Sequence, residues 1–164
     1  MGAGKLKMWN AERGYGFIEN EGGGPDVFLH VIALQNAGIE YRGYLPSLMT
    51  PCVYSRSALS LHVPRRQYSN GLSGIPTIRV FEALACGASL VCSPWSDVEQ
   101  LFRPNEDYVV VNSGAEMTDA IRHLLRDESA RQQIGANGRQ TILQRHTCAH
   151  RAQQLVSICE ELDR

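Results

Sequence analysis

Residues 76–92, PTIRVFEALACGASLVC, decide the fold class. Pro76 suits the first turn of a helix, where its missing N–H costs nothing and its fixed φ is already helical. The helical pattern continues to Gly87, a natural C-terminal stop. Ser89–Cys92 follows as a short apolar run. Helix and short apolar run alternate on both sides of this stretch. Ala58–Val63 lies upstream and Tyr108–Val111 downstream, and that alternation marks a parallel α/β sheet.

Further helices are expected downstream. Ser96 with Glu99, and Ser113 with Glu116, both have capping-box spacing. The helix from about Ala115 sets Met117, Ile121, Leu124 and Leu125 on one face. A second, from Asp127 to about Gln144, carries Gly135 and Gly138, each expected to weaken it by about 1 kcal/mol relative to Ala. Thr147 is placed to cap a last helix. Its stripe of Ala152, Leu155, Val156, Cys159 and Leu162 reads as a core face.

Upstream, the chain changes character near residue 40. Residues 1–40 are Gly-rich, with strand patterns at Lys5–Asn10, Tyr15–Asn20 and Asp26–Val31 separated by short turns. Three antiparallel strands follow. Ile39–Thr50 fits neither pattern. The expected organisation is therefore a strand segment over 1–40, a junction over 41–53, and an α/β domain over 54–164. No repeat of 20–50 residues recurs.

The chain has 164 residues, 43% of them hydrophobic and 20% charged, an ordinary globular composition. Sixteen Lys and Arg oppose 17 Asp and Glu. This near-neutral balance removes any whole-chain electrostatic case for nucleic-acid binding and leaves only local patches. No apolar run approaches the roughly 20 residues that span a bilayer. The N-terminus lacks the apolar core of a secretory leader. The five cysteines are odd in number, and no two have C-x-x-C spacing. Reduced, mostly buried thiols in the cytoplasm are expected. His146, Cys148 and His150 could line one helix turn, but the spacing is weak for a metal, and no metal or cofactor is expected. No G-x-S-x-G elbow is present. Arg65-Arg66 reads as solvated loop.

Leu6-Lys7-Met8-Trp9-Asn10, Arg13-Gly14-Tyr15-Gly16-Phe17-Ile18 and Asp26-Val27-Phe28-Leu29-His30 together resemble the first three strands of the cold-shock domain family. The resemblance implies an OB-like segment that stacks unpaired bases of single-stranded RNA or DNA on strand aromatics. It points to Trp9 or Met8, Tyr15, Phe17, Phe28 and His30 as stackers, with Lys7 and Arg13 near phosphates. Two departures stand out: the family's Trp falls at Met8, and a usual Phe at Val31. The segment's acidic residues also outnumber its basic ones. Its exposed strand edges would favour self-association.

From about Tyr54 onward the chain resembles the C-terminal domain of a GT-B glycosyltransferase with two Rossmann domains, of the spore-maturation-type, family 1-like branch. Five blocks carry the likeness: Ala58–His62, Ile78–Ala88, Leu101–Asp107, Ile134–Arg139 and His146–Arg151. The fold it implies is α/β, a truncated Rossmann-like domain behind a small three-stranded segment. A nucleotide-sugar donor is implied as partner, its diphosphate at a helix N-terminus. The loop holding Gly71, Ser73 and Gly74 would lead to that helix, with Arg79 in its first turn, Glu82 on the donor ribose and His62 at the site edge. His62 reads equally well as a structural histidine, and Arg79 with Glu82 as a plain surface pair. An acidic residue that many relatives carry eight positions before Glu82 is Gly74 here.

The matching blocks omit the N-terminal domain that supplies acceptor site and catalytic base. The expectation is thus a donor-binding half-site, with turnover by this chain open. Two alternatives stand beside it: a single-stranded nucleic-acid binder, or a chimera in which neither ancestral activity survives.

Overall fold

A computed structural model of the protein describes residues 4–10, 15–20, 27–30, 36, 40, 45–63 and 76–162. The chain divides into two compact units, Met1–Ser47 and Leu48–Arg164.

The first unit contains β1 (Gly4–Asn10), β2 (Tyr15–Asn20) and β3 (Val27–His30). They form an antiparallel sheet in that order, as the alternating pattern predicts. Leu6 pairs with Ile18 and Met8 with Phe17, so Lys7 is the extra residue of a β-bulge. The bulge explains why Lys7 and Met8, neighbours on one strand, are both exposed. It also sets the rows of the sheet. Met8, Phe17 and Phe28 share one row, and Trp9, Gly16 and Leu29 the next. Successive rows belong to opposite faces. Tyr15 and His30 form a row of the same parity as Phe17 and Phe28.

A 3-10 turn, Ser47–Met49, lies at the boundary, and the second unit continues with helix α1 (Thr50–Arg56). Ser47–Val53 fall within the expected junction; no side-chain cap at Met49 marks the start of the helix. Next come β4 (Ser60–His62), α2 (Ile78–Ala85), β5 (Leu90–Cys92), β6 (Val109–Val110), α3 (Gly114–Arg126), α4 (Glu128–Arg145) and α5 (Cys148–Leu162). The three strands pair in parallel, in the order β4-β5-β6. β5 is buried at every position, as the central strand of a covered parallel sheet must be. Val80, Ala83, Leu84, Leu90, Cys92, Phe102, Tyr108 and Ile142 form its main core.

Local chemistry explains the helix ends. Past α2, Gly87 takes φ +70°. Its N–H donates to the Leu84 carbonyl (2.9 Å) and that of Ala88 to the Ala83 carbonyl (3.0 Å), closing a Schellman motif. Ser113 caps α3 by accepting from the Glu116 N–H at 3.2 Å, while the Glu116 carboxylate takes the Asn112 N–H at 2.9 Å. Asp127 caps α4 through the Ala130 N–H at 2.9 Å. At α5 the Thr147 N–H donates to His150 Nδ1 (3.3 Å), so His150 fills the returning half of a capping box.

Four expectations fail. No helix starts at Ser96; the Asp97 carboxylate instead accepts the N–H groups of Leu101 (2.9 Å) and Phe102 (3.0 Å) and ties a loop. Leu125 is exposed, because only Leu124 of that pair turns toward the sheet. The cysteines are free but mostly not buried: Cys52, Cys148 and Cys159 are exposed, Cys86 is half-buried and only Cys92 is buried. The α5 stripe is no core face. Ala152, Leu155, Val156, Cys159 and Leu162 all lie exposed, Leu162 at 81%.

Gly135 and Gly138 are not flaws in α4. A Cβ on Gly135 would meet the Gly87 carbonyl oxygen at 2.3 Å, and one on Gly138 the Asp107 carbonyl oxygen at 2.7 Å. The two glycines let α4 lie directly on the turn that ends α2.

Candidate donor site at the carboxyl edge of the parallel sheet

In open parallel sheets, ligands bind beyond the carboxyl ends of the strands. β4 ends at His62 and β5 at Cys92, side by side in register. The N-terminus of α2 comes to the same edge. His62 joins the three: its Nδ1 lies 3.0 Å from Cys92 Sγ and its Nε2 2.7 Å from Thr77 Oγ1. One neutral ring satisfies every partner. The Cys92 thiol donates to the Ser93 carbonyl (3.1 Å), His62 Nδ1–H donates to the sulfur, and the Thr77 hydroxyl donates to Nε2. Burial, with the nearby Arg79 cation second, holds the His62 imidazole below its usual value. Burial pushes the Cys92 thiol up to about 12, which makes it inert as a nucleophile.

Thr77 is the N-cap residue of α2, yet its side chain makes no bond to that helix. Its hydroxyl is turned toward His62, and the Val80 N–H turns back to the Thr77 carbonyl at 3.1 Å. The first-turn amides of α2 have no side-chain cap, at the end of the helix where the dipole favours an anion. Arg79 is exposed and Glu82 half-buried, one turn apart. No ion pair joins them among the described residues, so they are not the plain surface pair that their spacing allows. Arg79 bears electrostatically on His62, and Glu82 on Cys86, whose thiol is raised mainly by burial. Gly71, Ser73 and Gly74 lie outside the described residues.

Sequence reasoning missed two features near this edge. Trp95, in the loop after β5, stacks on Tyr108 with centroids 4.8 Å apart and planes at 17°. Its buried Nε1 has no hydrogen-bond partner among the described residues. Neither residue stands in a recognisable motif. The second feature is a groove on the neighbouring face of α2. One part, of about 510 Å³, is lined by Ile78, Phe81, Glu99, Leu101, His146 and Arg151. It shares the last four with a further 730 Å³ that runs along α5. Neither part of the groove is lined by Arg79 or Glu82. The loop forming the groove wall is held from both sides. Asp97 binds it from within, and the Arg145 guanidinium reaches the Gln100 carbonyl at 2.9 Å. These contacts hold Gln100 at φ 50°, a backbone conformation costly for a non-glycine residue.

The later blocks serve the scaffold. Asp107 is fully buried and accepts from the Arg103 N–H (2.9 Å) and guanidinium (2.6 Å). Asn137 donates to the Glu106 carbonyl at 3.1 Å. His146 lies 2.8 Å from the Leu101 carbonyl, while His150 turns to Thr147, so the two imidazoles do not converge. No group of three or more metal-ligating side chains occurs among the described residues. No helix among them is long and apolar enough to cross a membrane.

A glycosyl transferase-like family model matches residues 13–157. The chain belongs to that family. Its fold is that of GT-B glycosyltransferase C-terminal domains. Sucrose-phosphate synthase from Thermosynechococcus elongatus matches 79% of the chain with 32% of its own, at 19% identity and TM-score 0.64. The C-terminal domain of a group 1 family glycosyl transferase, LpcC from Francisella tularensis, matches 71% of the chain with 60% of its own, at 15% identity and TM-score 0.54.

This family member has a second likeness. Forty residues are 55% identical to cold shock protein CspB of Bacillus caldolyticus, covering 24% of the chain and 59% of that protein. Thirty are 57% identical to cold shock protein ScoF of Streptomyces coelicolor, 45% of its length. The chain thus spans about half the length of these curated relatives. The family match begins at Arg13, before β2, so it extends well upstream of Tyr54.

Of the nucleic-acid residues proposed from sequence, Lys7 is exposed and Phe17 half-buried. Tyr15, Phe28 and His30 hold strand positions on the face shared with Phe17 and Met8, and Trp9 a position on the other. Arg13 lies outside the described residues.

Proposed function

We propose that the second unit is the donor-binding part of a glycosyltransferase. The diphosphate of a nucleotide-sugar lies against the uncapped N-terminus of α2, Arg79 adds a positive charge beside it, and Glu82 accepts hydrogen bonds from ribose hydroxyls. The observation that carries this is the N-terminus of α2 at the carboxyl edge of the sheet, where the Thr77 side chain turns to His62 and caps none of the first-turn amides. Such amides would also serve the chemistry. When an acceptor hydroxyl attacks the anomeric carbon, charge grows on the departing diphosphate, and preorganised N–H groups stabilise it without reorganising.

The test is a thermal melt with a panel of nucleoside diphosphates and their sugars. A ligand at 100 times its dissociation constant adds about 2.7 kcal/mol. Glu82→Ala is expected to weaken binding about tenfold, the loss of one or two hydrogen bonds to a charged group. No shift with any member of the panel, or a shift that Glu82→Ala leaves unchanged, overturns the assignment.

A second reading concerns the first unit: a cold-shock-like surface for single-stranded nucleic acid. The row register that brings Met8, Tyr15, Phe17, Phe28 and His30 to one face supports it. Salt-dependent binding of a pyrimidine-rich strand, lost in Phe17→Ala, is the expected result. Silence in both assays would leave the two likenesses as ancestry in a chimera.

A further inference from the structure

The groove between α2 and α5 collects polar side chains that the fold itself does not use. Gln153, Gln154 and Ser157 line it from α5, Gln144 from the end of α4 and Glu99 from the loop. None of these makes a hydrogen bond or ion pair among the described residues. Glutamines elsewhere on α4 are tied down: Gln132 donates to Glu128 at 3.0 Å and Gln133 to Asn137 at 2.8 Å. The unused amides, hydroxyl and carboxylate can between them both donate and accept. Where the groove follows α2, Ile78, Phe81 and Leu101 add an apolar patch.

The charges of the lining form no cluster of one sign. The Arg145 guanidinium is held on the Gln100 and Leu101 carbonyls at 2.9 and 3.4 Å. Burial holds the His146 imidazole below its usual value, and its Nε2 lies on the Leu101 carbonyl. His150 accepts the Thr147 N–H on Nδ1, as a neutral ring does. Arg151 and Glu99, of opposite sign, line both parts of the groove. An anion would meet Glu99 and a cation Arg151, each giving up water without matching counter-charge. A neutral ligand rich in hydroxyls has no such cost. A sugar ring joins an edge of hydroxyls to an apolar face of C–H groups, and amides beside an apolar patch match both. The two parts, about 510 and 730 Å³, lie within the roughly 300–1,000 Å³ of small-molecule sites.

We infer that this groove binds a neutral saccharide, its hydroxyls on Gln153, Gln154 and Glu99 and a ring face on Phe81 and Leu101. The groove begins at Pro76 and Ile78, on either side of the Thr77 N-cap. Resting on the donor reading, the saccharide is the acceptor, placed beside the helix end that holds the diphosphate. Its hydroxyl oxygen then bonds to the anomeric carbon, the bond from that carbon to the diphosphate oxygen breaks with its electron pair, and the hydroxyl proton leaves to solvent.

Saturation-transfer-difference NMR on the full chain, with maltose, cellobiose, lactose and chitobiose as probes, should show binding with a dissociation constant on the order of 1 mM. Digalacturonic acid and chitosan disaccharide, the acidic and basic counterparts, should bind more weakly. Gln153→Ala with Gln154→Ala, and separately Glu99→Ala, change exposed side chains without partners. Each should weaken the neutral sugar about tenfold with an unchanged circular dichroism spectrum. Leu155→Ala, which does not line the groove, should leave binding unchanged. No signal from any of the neutral sugars overturns the inference. So does tighter binding of a charged counterpart, or binding that survives both groove variants. The melt with nucleoside diphosphates reads the donor reading separately: sugar binding without any nucleotide shift keeps the groove and overturns its acceptor role.

Discussion

α4 and α5 follow one another in the chain and invert the usual reading of a helix. α4 has little apolar stripe, two glycines and a polar composition, yet it lies against the core through Gly135, Gly138, Thr141 and Ile142. α5 has a regular apolar stripe and no buried residue. Periodicity reports that a face exists; it does not report what meets it. A glycine pair four apart or less reports close approach, which needs no hydrophobic stripe.

Four measurements can break or sharpen this contrast. The largest effect is expected at Leu84, fully buried against Gly138. Leu84→Ala should cost about 2–5 kcal/mol in urea unfolding, and a smaller loss would mean that α4 is not seated on α2. Next comes Gly135→Ala. Helix propensity alone predicts a gain of about 1 kcal/mol. The Gly87 carbonyl 2.3 Å from the new Cβ predicts a net loss of about 1–3 kcal/mol, so the sign of the change decides.

The third is pH dependence. Burial leads in lowering both His62 and His146, aided by Arg79 at the first. At the second, Arg145, Arg151 and His150 also lower the value and the Leu101 carbonyl opposes them. Below the ordinary 6.5 the unfolded chain takes up protons that the folded chain refuses. Stability contributed by these groups is therefore present above 6.5 and lost as pH falls toward the folded values. Urea midpoints should drop on acidification across that window, and His62→Asn should flatten the slope. The smallest effect is expected on α5. Leu155→Ala should change stability by less than about 0.5 kcal/mol, and a loss of core size would show that the stripe is covered within the chain.

Much of the second unit was legible. Gly87 as the stop of α2, the Ser113 capping box and the three short apolar runs follow from local chemistry that the chain cannot satisfy otherwise. The Ser96 box failed because Asp97, one residue on, bound the same region of backbone in a loop. Helix α1 went unread because its start has no capping side chain. At the candidate site, His62 was legible only as an edge residue. Its bonds to Cys92 and Thr77 join positions 30 and 15 residues away, and no local pattern encodes such a triangle.

By itself the sequence determined the parallel α/β alternation, the antiparallel strands of the first forty residues and the family likenesses, because all of these rest on spacing along one chain. Only the tertiary structure decided that two helix-weakening glycines are close-packing contacts. It alone showed that α2 has no side-chain cap at Thr77 and that the apolar stripe of α5 is exposed. Each of these depends on which surfaces meet, and that is settled by contacts between residues far apart in sequence.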